Sequence, residues 1–137
     1  MIKLIVGTKG TGKTKILIDM IQDAAQIDNG SVVCIDKSKS NKLRYQISHS
    51  VRLINVEDYE IMGHDMFAGF ILGVLSANYD INEIYIDSLF KIVGRDYIKL
   101  ERFFKKIEES AKDIKIVFTV SEDLEKLPEY VQELAKR

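Results

Sequence analysis

The sequence predicts an α/β fold, in which a mostly parallel sheet of five strands lies between two layers of helices (a three-layer α/β/α domain). Five apolar runs of strand length alternate with segments of helical periodicity along the 137 residues. Within each run the apolar residues are nearly continuous, which is typical of parallel strands covered on both faces. The length fits a single domain, residues 1–137, with one hydrophobic core.

The first half of the chain contains three predicted strands and one long helix. Residues 2–6 form an apolar run, and residues 13–27 carry apolar side chains at a period near 3.6, which predicts an amphipathic helix. Asp-Asn-Gly at 28–30 predicts a turn that ends this helix. The next strand is expected at 31–36; a loop with a short polar helix then leads to a strand at 51–56.

The longest apolar stretch lies in the middle of the chain, at residues 66–77. A membrane-spanning helix needs about 20 apolar residues, so this stretch is too short to cross a bilayer. We expect instead a buried helix over residues 65–78. Gly69 and Gly73 would allow this helix to lie close to the sheet.

Two further strands and two helices are expected in the last part of the chain. Apolar runs at 83–87 and 114–120 predict strands, and residues 96–112 predict a long charged helix between them. Ser121 is expected to cap a last helix, which Pro128 would kink or split.

The charge and the cysteine content exclude some classes of function. Twenty basic and 21 acidic residues give a formal net charge of −1, so no overall field draws the chain to nucleic acid or to a membrane. The single cysteine, Cys34, cannot form an internal disulfide and lies in an apolar run, which fits a reducing compartment. The N-terminal residues lack the pattern of a signal peptide. We therefore expect a cytoplasmic protein that does not associate with membranes.

A glycine-rich segment, GTKGTGKT at residues 7–14, lies between the first predicted strand and the first predicted helix. It matches the pattern G-x-x-x-x-G-K-[ST], in which glycines let the backbone approach a phosphate closely and exposed N–H groups surround the anion. Lys13 would neutralise the β- and γ-phosphates and thereby contribute to catalysis, and the Thr14 hydroxyl would bind Mg²⁺. The residues expected to contact the nucleotide are Gly7, Thr8, Lys9, Gly10, Thr11, Gly12, Lys13, Thr14 and Lys15.

The fourth predicted strand ends in an acidic residue, Asp87, after the apolar run Ile-Tyr-Ile. The carboxyl ends of parallel strands meet at one edge of a sheet, and ligands bind there. We therefore expect Asp87 near the glycine-rich segment, where it would hold Mg²⁺ directly or through water. The alternative is a structural role as a cap of the turn that follows the strand.

Together, the glycine-rich segment and the strand that ends in Asp87 resemble the Walker A and Walker B motifs of P-loop NTPases. The chain is most similar to the RecA-like branch, because Ser88 follows Asp87 and two strands separate the two motif-bearing strands. The fifth strand ends in polar Thr119 and Ser121, near where RecA-like ATPases keep a γ-phosphate sensor. The resemblance implies a P-loop NTPase fold that binds ATP, in preference to GTP, together with Mg²⁺.

The sequence departs from this family at the position of the catalytic glutamate. RecA-like ATPases place that glutamate after the second strand, where this chain has Asp36 followed by Lys37. Ser88 also stands where many other ATPases keep a glutamate beside the Walker B aspartate. Hydrolysis needs a group that orients the attacking water. The candidates are Asp36, Glu57 and Asp58, each of which has a surface or loop carboxylate as its alternative.

Three functions are compatible with these motifs. The leading prediction is an ATP-binding protein that hydrolyses ATP slowly or on stimulation by a partner. A small-molecule or nucleoside kinase is the second, although the spacer at 57–64, where such an enzyme could keep an arginine-bearing lid, contains no arginine. The third is a module that binds ATP as a switch without hydrolysing it, which the missing glutamate favours.

Partner binding is expected at the edge of the sheet. In the RecA-like order the strand at 2–6 neighbours the fifth strand and would be an exposed edge, and proteins generally cover or pair such edges. We therefore expect a protein partner or self-association beside this strand. The basic segment at 37–44 and Tyr45 give weaker support for nucleic-acid binding, with a solvated polar helix as the alternative. Arg95 is a candidate arginine finger for a neighbouring subunit.

Overall fold

Strands and helices alternate along almost the whole chain. The computed structural model describes residues 1–27, 31–38 and 42–137. The strands are β1 (Ile2–Gly7), β2 (Val32–Asp36), β3 (Arg52–Asn55), β4 (Glu83–Ile86) and β5 (Lys115–Ser121). The α-helices are α1 (Lys13–Ile27), α2 (His64–Ala77), α3 (Leu89–Val93), α4 (Tyr97–Ser110) and α5 (Glu129–Ala135). Short 3₁₀ turns cover Lys42–Tyr45, Val56–Tyr59 and Leu124–Lys126.

The strands form one sheet in the order β1-β5-β4-β2-β3, and every neighbouring pair is parallel. This confirms the predicted parallel five-stranded sheet. It also confirms that β1 is an edge strand, since it pairs with β5 on one side only. The register places Gly7 opposite Ser121, so β1 and β5 end side by side.

Two hydrophobic clusters cover the two faces of the sheet. Because successive strand residues point to opposite faces, Val117 joins one cluster and Phe118 joins the other. The smaller cluster contains Leu17 and Ile21 of α1, packed with strand residues such as Tyr85. The larger cluster contains apolar residues of α2, α3, α4 and α5, among which is a group of contacting rings: Phe67, Phe103, Phe104 and Phe118.

Helix α2 differs from its prediction in how it packs. Phe67 and Ile71 are fully buried, whereas Gly69 and Gly73 lie on the exposed face. A Cβ atom built on either glycine would have no neighbour within 4 Å. The prediction that these glycines allow close contact with the sheet was therefore wrong, because the helix turns its large apolar residues inward. No helix in the described ranges is long and apolar enough to cross a membrane.

The chain after β5 also differs from its prediction. Ser121 is the last residue of β5 and does not cap a helix. The predicted last helix is split into the 3₁₀ turn Leu124–Lys126 and helix α5, which begins just after Pro128. Proline has no N–H to donate within a helix, so it is accommodated at the beginning of α5. The predicted turn at 28–30 and part of the basic segment, residues 39–41, lie outside the described residues.

His64, the first residue of α2, has a polar side chain that is buried in the protein. It is 5% exposed, and its ring meets Phe103 edge-on at 6.3 Å. Its Nε2 atom is buried and has no hydrogen-bond partner among the described residues. Burial lowers the pKa of His64, although the charge of Asp96 acts in the opposite direction. The folded protein therefore favours the neutral imidazole.

We predict that His64 makes folding less favourable as the pH falls. The unfolded chain takes up a proton on this imidazole near pH 6.5, whereas the folded chain does so only at lower pH, so stability declines as the pH falls below about 6.5. Relative to His64→Phe, the wild type should lose at most about 1.4 kcal/mol of unfolding free energy for each pH unit between about 6.5 and 5.5. Urea unfolding of both proteins at several pH values measures this difference.

The comparison of the two proteins cancels the titration of all other groups. The exposed His49 offers the matched control, His49→Phe, which replaces the same residue type outside the core. A His64→Phe variant with the same pH slope as the wild type would contradict the prediction.

Candidate functional site

A cavity of about 640 Å³ opens at the carboxyl ends of β1, β4 and β5. It lies where the topology of a parallel α/β sheet is expected to place a ligand. The residues that line it come from the loop after β1, the segment after β4 and the end of β5: Lys9, Gly10, Gly12, Lys13, Thr14, Asp87, Ser88, Phe90, Lys91, Arg95, Thr119 and Ser121.

The glycine-rich loop between β1 and α1 forms one wall of the cavity. Gly10 and Gly12 have φ angles of 83° and 88°, a region that favours glycine. The Thr11 hydroxyl donates to the Thr8 carbonyl at 2.7 Å and ties the loop across its tip. A Cβ atom on Gly7 would lie 2.6 Å from Thr11 Oγ1, so the loop closes tightly on this glycine. The backbone here needs glycine both for its dihedral angles and for space.

Lys13 is the best-buried cation of the loop. It is 8% exposed, and its Nζ donates to the Thr8 carbonyl at 2.8 Å. Burial lowers the pKa of Lys13, while the negative charge of Asp87 raises it. The ammonium group therefore lies within the loop, held by one backbone oxygen and attracted by the carboxylate on the opposite wall.

Asp87 joins the glycine-rich loop to the end of β5. The Thr14 hydroxyl donates to its two carboxylate oxygens at 3.3 and 3.2 Å, and the Thr119 hydroxyl donates to Oδ1 at 2.7 Å. Thr119 Oγ1 in turn accepts from the Ser88 amide at 2.6 Å. Ser88 has a φ of 63°, a conformation that costs about 1–2 kcal/mol for a residue with a Cβ. Such local strain is characteristic of functional sites.

The oxygen atoms of Thr14 and Asp87 are suitable ligands for Mg²⁺. This ion prefers hard oxygen ligands, and it is usually held by one or two protein groups, with phosphate oxygens and waters completing the octahedron. In the described part of the chain, no group of three or more His, Cys, Asp and Glu residues could hold a metal ion. The donor set thus fits a cation that arrives with a phosphate ligand better than a cation held by protein alone.

Asp36 lies beside this site, buried at the end of β2. It is 4% exposed, and its neighbour Ile35 accepts a hydrogen bond from the Asp87 amide at 3.0 Å. Burial, together with the negative charges of Asp87 and Asp58, raises the pKa of Asp36 to about 6. The carboxyl group is therefore poised near neutral pH, which is a property of many functional acids and bases.

Glu57 is placed differently from the other candidate residues. It lies in the 3₁₀ turn after β3, where its carboxylate is 3.9 Å from Lys37 Nζ and accessible to solvent. Lys37 also donates to the Lys91 carbonyl at 3.2 Å, which links the turn to α3. Neither Glu57 nor Asp36 is among the described residues that line the cavity. Four of the expected nucleotide contacts are likewise absent from the lining: Gly7, Thr8, Thr11 and Lys15. The Lys15 Nζ atom lies instead 3.7 Å from Oδ2 of Asp19.

The segment after Asp87 contributes three further residues to the cavity, of which the sequence had suggested Arg95 alone, as an arginine finger for a neighbouring subunit. Phe90, Lys91 and Arg95 all line it, and Arg95 does so in its own chain. Lys9, Lys13, Lys91 and Arg95 supply four positive charges, against the single carboxylate of Asp87 among the described lining residues. The helix α3 that carries two of these residues was not predicted, because five residues are too few to show helical periodicity. The signal that could have found them is their position within nine residues of the end of β4.

Comparison with solved structures relates the fold to a known protein. The chain is similar to the crystal structure of the flagellar accessory protein FlaH from Methanocaldococcus jannaschii, with a TM-score of 0.61 and 22% sequence identity. The chain shares the RecA-like α/β fold of FlaH. The similarity covers 98% of this chain and 66% of FlaH, so the chain spans less than two-thirds of its neighbour. No protein-family model matches the sequence, and no curated protein matches it.

Proposed function

We propose that this chain binds Mg-ATP in the cavity beside the glycine-rich loop and hydrolyses it slowly, or on stimulation by a partner, to ADP and phosphate. The observation that carries the proposal is the hydrogen bond between Thr14 of the loop and Asp87 at the end of β4. This contact joins an expected phosphate-binding loop to an acidic strand end through two oxygen ligands. The excess of positive charge in the cavity favours a polyanionic ligand.

Different groups of the site would bind the phosphates and the Mg²⁺ ion of the nucleotide. Backbone N–H groups of the glycine-rich segment and of the first turn of α1 would surround the phosphates. Lys13 would exchange the Thr8 carbonyl for phosphate oxygens, since that carbonyl is the one acceptor of its ammonium in the described part of the chain. Thr14 and Asp87 would hold Mg²⁺, which when bound neutralises charge on the β- and γ-phosphates.

We assign the role of orienting the attacking water to Asp36 rather than to Glu57. Asp36 is buried beside Asp87, and its raised pKa suits a group that accepts a proton near neutral pH. Glu57 is exposed and ion-paired with Lys37, whereas neither carboxylate belongs to the described lining of the cavity. Asp has a shorter side chain than the glutamate found here in RecA-like ATPases, which is consistent with slow turnover.

An ATP-binding switch without hydrolysis is the second candidate function. It is favoured by the absence of a glutamate at both positions where related ATPases keep one, since Asp36 and Ser88 stand there. A kinase has less support, because the spacer at 57–64 begins in a 3₁₀ turn that is ion-paired to Lys37 and contains no arginine for a lid.

We place the protein in the cytoplasm, in agreement with its free, fully buried Cys34.

A single-turnover assay tests the proposed function. With protein in excess over γ-labelled Mg-ATP, we expect the wild type to release phosphate and Lys13→Ala to release no more than a protein-free control, because the variant lacks the cation that contacts the phosphates. Lys106→Ala, which removes an exposed lysine of α4, is the matched control. ATP that remains bound but intact would favour the switch. A folded wild type that neither retains nor cleaves ATP would contradict nucleotide binding.

The same assay distinguishes the two candidate carboxylates. Asp36→Asn should slow phosphate release by about 100-fold or more, since loss of a group that orients and deprotonates water typically costs this much. Glu57→Gln should change the rate by less than about twofold, as expected for an exposed residue in a weak ion pair. A slow Glu57→Gln variant beside an unaffected Asp36→Asn variant would reverse our assignment.

We also propose that the edge of β1 is a surface for a protein partner or for a second copy of the chain. β1 pairs with β5 alone, and an unpaired edge is a template for another strand. The Glu108 side chain accepts from the Ile2 amide at 3.3 Å, which caps this edge at its first residue. We expect sedimentation velocity to detect an oligomer that grows with concentration, and hydrogen exchange in β1 to slow in parallel. A strictly monomeric protein with rapidly exchanging β1 amides would contradict self-association.

A further inference from the structure

Arg95 is the residue in the cavity whose role the proposed function leaves unexplained. It follows Gly94, which ends α3 with φ 89° and ψ −167°, a backbone region that is essentially restricted to glycine. This turn brings Arg95 back toward β5, where the residue lines the same cavity as Lys13 and Asp87. The guanidinium group therefore lies in the site of its own chain without any contribution from a neighbouring subunit.

Three contacts position the guanidinium group of Arg95. It donates to Glu122 Oε2 at 2.8 Å and to the Ser121 carbonyl at 3.0 Å. It also lies 4.8 Å from the centroid of the Phe90 ring, in a cation–π contact. The arginine side chain is 51% exposed, and an ion pair at this exposure is weak and readily exchanged. A stronger anion could therefore displace Glu122 from Arg95.

The position of Arg95 along β5 indicates which part of a nucleotide it would meet. Thr119 of β5 hydrogen-bonds to Asp87, on the side of the cavity assigned to Mg²⁺. Ser121, two residues further along the same strand, bonds to Arg95 through its carbonyl. The arginine thus lies on the side of the cavity formed by Asp87 and Thr119, at the end of β5 that adjoins Gly7. A group on this wall is placed to meet the terminal phosphate.

We propose that Arg95 binds the γ-phosphate of ATP within its own chain, exchanging Glu122 for phosphate oxygens. Guanidinium forms strong paired hydrogen bonds with phosphate, and an arginine supplied by the same chain is one way in which nucleotide hydrolases recognise the γ-phosphate. This inference rests on the proposed function. It makes Arg95 a residue that distinguishes ATP from ADP, and it releases Glu122 and the end of β5 when ATP binds.

The inference is tested by measuring how two nucleotides bind to variants of Arg95 and of Glu122. The dissociation constants of Mg-ADP and of a Mg-bound non-hydrolysable ATP analogue are measured by calorimetry. Arg95→Gln should weaken binding of the ATP analogue by about tenfold, because one charge-assisted contact is lost. The same variant should weaken binding of ADP by less than about twofold. Glu122→Gln should strengthen binding of the ATP analogue relative to ADP, because it removes the group that competes for Arg95. Arg102→Gln, an exposed arginine of α4, is the matched control.

The outcomes separate the inference from the proposed function on which it rests. If Lys13→Ala abolishes binding but Arg95→Gln and Glu122→Gln leave the ratio of the two dissociation constants unchanged, the role of Arg95 is overturned and nucleotide binding stands. Equal weakening of both nucleotides by both variants would show a structural ion pair and would also overturn the inference. If the wild type binds neither nucleotide, the proposed function fails and the role of Arg95 fails with it. Should Arg95→Gln not fold, Glu122→Gln alone must raise the selectivity for the ATP analogue.

Discussion

β5 lies between β1 and β4 and pairs with both, and the rest of the site depends on this arrangement. Because the three strands are parallel, their carboxyl ends open on the same edge of the sheet. The glycine-rich loop after β1, Thr119 of β5 and Asp87 after β4 consequently meet around one cavity, although more than 100 residues separate the first from Thr119. A different strand order would leave the same residues apart.

The residues of the site include buried polar groups and a strained backbone conformation, which do not contribute to the hydrophobic core. Lys13 and Asp36 are charged groups with little solvent exposure, and Ser88 has an unfavourable backbone conformation. Each of these features disfavours folding by itself. The sheet tolerates them because two apolar clusters pack its faces, with a group of contacting phenylalanine rings on one side. The apolar packing thus lies on the two faces of the sheet, and this polar cluster lies at the carboxyl ends of its strands.

The two sides of the cavity are held by different kinds of contact. The loop side is fixed by glycine geometry and by the Thr11–Thr8 bond, whereas the β5 side carries a half-exposed ion pair between Arg95 and Glu122. Glu122 also donates its amide to the Gly7 carbonyl at 3.0 Å, so the two sides are joined at the point where β1 and β5 end. Movement of Glu122 away from Arg95 would therefore alter a contact at Gly7, where β1 ends and the loop begins.

Local patterns in the sequence determined the parallel α/β architecture, the position of the glycine-rich loop and the acidic end of β4. These features depend on residue order within one element, since apolar runs, glycine spacing and strand ends are local properties. The sequence could not distinguish the environments of Asp36 and Glu57, because both are acidic residues that follow a strand and only the folded chain buries one of them. It also offered Arg95 as an arginine finger for a neighbouring subunit, although Arg95 lines the cavity of its own chain, and it placed Gly69 close to the sheet. Only the tertiary structure decided these points, because the direction of a helix face and the path of a tight turn depend on contacts between distant segments of the chain.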